Sequence, residues 1–296
     1  MQFLEQNSGF EQDATEFDFR PDDETTTVKG RELGEVYESV REEPSAKETL
    51  ALALHGDRMH VDRSHVEDDR RGLRDLQGWL ERRLGKLYRS WAKGFEAVLF
   101  NGDHTATPAQ MKGLSKVYNG TTNLPGFGIT GVLSAHNYTD GADQSMDLGD
   151  SANWDAFFEM MYLALSEVDD PKGIVVGKEL YARVNTIARE RHIRGESRDL
   201  LGRIIPNWDG VPIIRAKDGT IPTNEANADA SATDTTSLYI LSPGEQRLSV
   251  VTNSGLYFNE KLDLETQEGM GIEWEIRSQW KVEEKNAGRR VRYIKL

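Results

Sequence analysis

Apolar residues recur at helical spacing in the first third of the chain. Leu73, Leu76, Leu80, Leu84, Leu87, Tyr88, Trp91, Phe95, Val98 and Leu99 fall, at about 100° per residue, inside an arc of roughly 140°. The pattern predicts one amphipathic helix of close to thirty residues, with Asp68 and Asp69 as cap and dipole partners at its start and Asn101-Gly102-Asp103 stopping it. Gly78, Gly85 and Ala92 stand seven apart on its shoulder, where each glycine costs about 1 kcal/mol relative to alanine. They are either tolerated or mark a small-residue groove where another backbone packs closely or the helix bends. Ahead of the helix the period drops to two. Residues 26–40 (Val28, Leu33, Val36, Tyr37, Val40) and 48–61 (Leu50, Leu52, Leu54, Met59, Val61) read as the arms of a long β-hairpin, with a polar turn from Arg41 to Lys47. The many charges on these arms leave the hairpin too little apolar cover to stand alone.

Residues 101–151 are rich in Gly, Asn, Thr and Pro. A second amphipathic helix is expected over 154–168, burying Phe157, Phe158, Met161, Leu165 and Val168, then a short buried strand over 173–177. A third helix fits 179–191, with Leu180, Val184 and Ile187 inward. Strands follow at 203–206, 211–216, 238–241 and 247–251, and the polar stretch 222–236 reads as a loop. Alternation over 272–282 and 291–296 predicts strands that close a sheet. No internal repeat is visible.

The composition fits a globular chain able to bury a sizeable core: 296 residues, 37% hydrophobic, 29% charged, 9 prolines. No stretch approaches the roughly 20 uncharged apolar residues that cross a bilayer, and the first twenty residues lack a signal-like apolar run. With 0 cysteines there is no disulfide, thiolate site or Cys nucleophile, which suits a reducing compartment. The net charge of −14 argues against a protein that grips nucleic acid over its whole surface. It is unevenly spread. Residues 1–24 hold eight acids against Arg20, yet also Phe3, Phe10, Phe17 and Phe19. The arm reads as extended, either a solvated acidic leader or a segment whose phenylalanines dock on a neighbour; docking is the favoured expectation. Conversely, from Arg70 to Lys93 eight basic residues face two acids, and Arg82, Arg83, Lys86 and Arg89 lie opposite the helix's apolar arc. Such a face is either simply solvated or suits an acidic partner: a scaffold, nucleic acid or another chain's arm.

Candidate chemistry is thin. Gly126-Phe127-Gly128-Ile129-Thr130-Gly131 spells G-x-G-x-x-G, but a dinucleotide site needs a strand before it and a helix after it, and neither fits here. His55, His60 and His65 recur every five residues, a spacing that puts successive members on opposite faces of a strand, so they do not converge on a metal. Asn119-Gly120-Thr121 is a glycosylation sequon without a secretory route. No nucleophile elbow, H-E-x-x-H or P-loop occurs. No catalytic, cofactor-binding or metal residues are therefore expected.

The order of segments resembles the major capsid proteins of tailed phages, the Hong Kong 97 fold. Five short motifs carry the likeness in order: Asn101-Gly102-Asp103 ending the long helix, Gly113-Leu114, the Gly173-Ile174-Val175-Val176 strand with the helix after it, Leu201-Gly202-Arg203, and Gly210-Val211-Pro212-Ile213-Ile214. The resemblance implies an α+β fold with an N-arm (1–24), an E-loop hairpin (25–66), a peripheral domain with a long spine helix (67–118 and 265–296) and an axial domain (119–264). It implies a structural protein, not an enzyme and without cofactor. Many copies, as hexamers and pentamers, would form an icosahedral shell around double-stranded DNA in the virion, assembled in the host cytoplasm. Partners would be a portal and, since no helical scaffolding segment precedes the arm, a separate scaffold protein; no membrane is involved. Subunit contacts are expected at Phe3, Phe10, Phe17, Phe19, Glu42, Glu43 and Lys47, and the basic helix face is expected to point inward. Lys47 is available for the covalent crosslink some members form, but 264–271 offers no Asn partner, which argues against it. The alternatives are an encapsulin-like nanocompartment shell and a soluble nucleotide-binding α+β enzyme.

Overall fold

A computed structural model describes residues 5–7, 16–19, 48–61, 76–104, 106–107, 109–118, 146–190, 195–198, 204–225, 234–244, 247–252, 257–263, 269–283 and 286–295. The strands are β1 (Glu5–Asn7), β2 (Glu16–Phe19), β3 (Glu48–Ala51), β4 (Ala53–Val61), β5 (Met146–Asp147), β6 (Gly173–Val176), β7 (Gly195–Arg198), β8 (Ile204–Trp208), β9 (Val211–Arg215), β10 (Thr235–Leu241), β11 (Leu248–Thr252), β12 (Tyr257–Asp263), β13 (Gly269–Val282) and β14 (Gly288–Lys295). The helices are α1 (Leu76–Asn101), α2 (Leu114–Val117), α3 (Trp154–Ser166) and α4 (Lys178–Glu190).

A mixed seven-stranded sheet, ordered β5-β14-β10-β6-β9-β8-β7, is the middle layer. Its central strands are buried on both sides, so successive residues serve different cores. Leu238 and Ile240 of β10 join Ile174 and Val176 of β6 under α3 and α4, against Phe157, Met161, Leu180 and Ile187. Tyr239, Leu241 and Val175 face the other way, onto Leu99, Phe100, Leu114, Val117 and Trp280. That second core is closed by a five-stranded sheet built on the long β13, which pairs with β4 along one edge and with β11 and β12 along the other. The sheets interleave distant sequence: β14, from the C-terminal segment, pairs with β10, whereas β11 and β12 pair with β13.

Where their bounds are described, the expected helices and most expected strands form within a few residues of them; the start of the first helix, with Asp68 and Asp69, lies outside the described residues. The second hairpin arm becomes β3 and β4, but β3 pairs with β2 of the acidic arm and β4 with β13; residues 26–40 lie outside the described residues. The 222–236 loop is shorter than expected. Thr235 and Thr236 already belong to β10, and Thr235 forms a bridge with Glu225.

Candidate assembly surfaces

The best-defined corner joins α1 to α2. Gly102 N–H donates to Val98 O at 2.8 Å, and Gly113 N–H donates to Gly102 O at 2.9 Å. A Cβ on Gly102 would collide with the Met111 carbonyl and lie 2.7 Å from Val98 O; one on Gly113 would collide with Gly102 N and lie 2.7 Å from Phe100 O. Two glycines are required because two backbones cross there. The flanking residues fasten the corner. The Asn101 side-chain amide donates to Thr220 O. Asp103 accepts from Ala106 N–H at 3.2 Å and pairs with Lys116 Nζ at 2.9 Å. The Asn-Gly-Asp and Gly-Leu motifs are thus two halves of one structural feature.

From this corner α1 runs outward, and its burial changes along its length. Phe95, Leu99 and Phe100 are core residues, and Leu99 O accepts a 2.8 Å hydrogen bond from buried Trp280 Nε1. Leu80, Leu84, Leu87 and Trp91 are only half-buried, packed on a small cluster of Met59 and Trp274, while Trp79 and Tyr88 are exposed. The outer half of the apolar arc is therefore less covered than the inner half, and among the described residues its cover comes from β4 and β13. Along the helix Tyr88, Trp91 and Phe95 stack in succession, and Phe95 meets the edge of His55 at 5.4 Å. Burial lowers the His55 pKa, and among the described residues its Nε2 has no hydrogen-bond partner.

The face of α1 opposite the apolar arc carries exposed Arg82, Lys86 and Arg89, whereas Arg83, also exposed and expected on that face, lies about 90° away beside the edge of the arc. Arg82 Nε donates to Gly78 O at 2.9 Å and Arg89 Nε donates to Gly85 O at 2.8 Å, so each arginine folds back on the glycine one turn earlier. Gly85 has open space where a Cβ would be, so among the described residues no backbone of the same chain occupies the small-residue shoulder there.

The structure does not bring the other sequence candidates together. Phe3, Phe10, Glu42, Glu43, Lys47, His65 and the Gly126–Gly131 loop lie outside the described residues. Phe17 and Phe19 lie in β2, opposite Leu50 and Glu48 of the same chain. β1 likewise runs parallel to β11, so the two described pieces of the arm are strands that ladder onto their own chain.

Sequence reasoning missed a buried ionic knot. Arg290, 5% exposed, donates from Nη2 to Glu225 Oε1 at 2.9 Å, from Nε to Ser237 Oγ at 3.1 Å and from Nη1 to Ser115 O at 2.7 Å. Ser237 Oγ donates to the second Glu225 oxygen at 2.5 Å, and the guanidinium carbon lies 5.6 Å from the Tyr239 ring centre. Burial raises the Tyr239 pKa, offset in part by Arg290. Every polar edge of Arg290 is spent on structure, so the knot ties β10, β14, α2 and the Glu225 segment together.

This architecture, a long helix ending at a glycine corner against two interleaved sheets, recurs in solved shell proteins. The capsid of an empty GTA particle superposes with a TM-score of 0.56 at 15% identity, covering 99% of this chain and 88% of that one. The cyanophage A-1(L) capsid gives 0.54 at 12% identity, covering 97% and 90%. The chain has the Hong Kong 97 capsid fold. The same fold extends to the holo-SrpI encapsulin complex of Synechococcus elongatus PCC 7942, with a TM-score of 0.53 at 12% identity and coverage of 84% and 76%. No protein-family model and no curated protein matches the sequence.

Proposed function

We propose that the chain is a major capsid protein of the tailed-phage type, self-assembling into an icosahedral shell that encloses double-stranded DNA. The observation that carries this is superposition on phage and GTA capsid subunits over nearly the whole chain in both directions. The half-buried outer part of α1's apolar arc supports it, because a closed shell supplies neighbours to cover Leu80, Leu84 and Leu87. The role is structural, not enzymatic. In this reading the N-arm (1–24), E-loop (25–66), peripheral (67–118 and 265–296) and axial (119–264) divisions apply, and Phe3, Phe10, Phe17, Phe19, Glu42, Glu43 and Lys47 contact neighbouring subunits. Capsomers are hexamers and pentamers, a separate scaffold protein and a portal assist, and the virion capsid is assembled in the host cytoplasm.

Electron microscopy and sedimentation of the full-length protein test this. Closed shells or capsomers are expected. Monomer alone at micromolar concentration, in low and high salt and with its genomic neighbours co-expressed, defeats the reading. Shells from the native source holding cargo protein instead of DNase-protected duplex would assign the chain to the nanocompartment alternative, which the encapsulin likeness keeps in view.

A further inference from the structure

The basic face of α1 is more ordered than a solvated helix face needs to be. At about 100° per residue, Arg82, Lys86, Arg89 and Lys93 fall within an arc of about 60°, diametrically opposite the apolar arc. They form a straight row about 16 Å long. All four are exposed. Between Arg82 and Lys93 neither an apolar nor an acidic residue enters that arc. At the inner end of the helix Glu96 is held by Lys217, Oε2 to Nζ at 3.0 Å, so its charge is compensated. The two arginines are pre-set: their Nε back-bonds to Gly78 O and Gly85 O fix both guanidinium groups one heptad apart. Among the described residues their terminal Nη groups make no other hydrogen bond, which leaves the forked edge of each directed at solvent.

We propose that the row Arg82–Lys86–Arg89–Lys93 is a docking surface for the phosphate backbone of duplex DNA, with Arg82 and Arg89 pre-positioned by Gly78 and Gly85. This rests on the shell reading for the DNA to be present. A row of cations without an apolar pocket matches a repeating phosphate backbone better than a folded or helical protein partner, which would need apolar anchors. The two described segments of the chain's own acidic arm already ladder onto β11 and β3, and an acidic protein occupant is left as an outcome of the test. Fixed guanidinium forks also suit the bidentate geometry of phosphate oxygens.

The test uses the full-length protein and two 30-base-pair duplexes of unrelated sequence, followed by fluorescence anisotropy from 50 to 300 mM salt. Equal affinity for both duplexes is expected, with log K falling against log salt at a slope of about −3.6, the value for four phosphates at about 0.9 each. Changing all four cations to Gln should weaken binding at least tenfold at 50 mM salt and flatten the slope towards zero. Arg82→Lys with Arg89→Lys should keep the slope but lose severalfold in affinity, since the charge stays and the back-bonds go. Circular dichroism confirms that each variant is folded. An unchanged slope in the four-Gln variant overturns the proposal, and so does poly-glutamate displacing the DNA at equal charge concentration, which would assign the row to an acidic protein. Electron microscopy of the four-Gln variant separates this from the shell reading: shells that form without DNA affinity support both, and absence of shells from the wild type defeats only the shell reading.

Discussion

The N–H of Gly113 donates to the carbonyl of Gly102 at 2.9 Å, and neither residue has room for a side chain. The obstructing atoms are backbone, so they cannot swing aside as a flexible side chain would. Gly113→Ala should destabilise the folded subunit by about 1–3 kcal/mol, the usual range for overpacking. Gly102→Ala should do the same, and the pair should be less than additive because both disturb one crossing. Urea denaturation of each variant measures this; wild-type midpoints would mean the corner opens freely.

Gly85 is the opposite case. Nothing lies within 4 Å of where its Cβ would be, so Gly85→Ala should stabilise the subunit by up to about 1 kcal/mol through helix propensity. Thermal unfolding of the free subunit reads the gain directly. If a neighbouring subunit packs into this shoulder after assembly, the same variant will be more stable as a monomer and slower to assemble, which light scattering resolves.

The helices and buried strands were legible because their periods survive in the sequence: α3 keeps Phe157, Phe158, Met161 and Leu165 on one side, and β6 is an uninterrupted apolar run. β12 was missed because Tyr257–Asp263 alternates poorly and is recruited by its ladder with β13. α2 is four residues long, too short for any period, and is set by the glycine corner. The outer half of α1 looked like core because periodicity reports which side is apolar, not how much lies against it. The Arg290 knot left no local signal at all, since its members are more than fifty residues apart except for Glu225 and Ser237.

Arg290 and Glu225 are both largely buried, with side-chain exposures of 5% and 12%. Removing one partner leaves an uncompensated charge among Ser237, Ser115 O and Tyr239, a loss of about 3–5 kcal/mol. Glu225→Ala should therefore unfold at markedly lower urea. The double variant Arg290→Met, Glu225→Leu should recover much of the loss, because an apolar pair carries no stranded charge. A double variant as unstable as Glu225→Ala would show that the hydrogen bonds to Ser115 and Ser237 matter more than the charge.

His55 gives the subunit an acid-sensitive contact. Burial against Phe95 lowers its folded pKa below the ordinary value of 6.5. The unfolded chain then binds the proton first as pH falls, so the contribution is complete above about 6.5 and is lost progressively below it, down through the lowered folded value. Denaturation midpoints should decline from pH 7 to 5 more steeply in the wild type than in His55→Phe, which keeps the ring contact and cannot charge. Parallel profiles would place the acid sensitivity elsewhere.

Deleting residues 1–20 should weaken the free subunit without unfolding it. Among the described side chains, none of this arm belongs to either large core, so the main helices and sheets should persist by circular dichroism. The deletion does strip β1 from the edge of β11, where Glu5–Asn7 pairs in parallel with Val250–Thr252, and β2 from β3, where Glu16–Phe19 pairs with residues 48–51. Both edges then expose unpaired N–H and C=O groups, the usual template for edge-to-edge association. The truncated subunit should therefore show a lower denaturation midpoint and a greater tendency to aggregate at equal concentration. Salt separates the forces involved: screening removes whatever the acidic arm gains from nearby cations but leaves the ladders intact, so high salt should narrow the gap between the two proteins only in part. A truncated subunit as stable and as soluble as the full chain would show that these ladders contribute nothing to the monomer, and that the arm's place is on a neighbour.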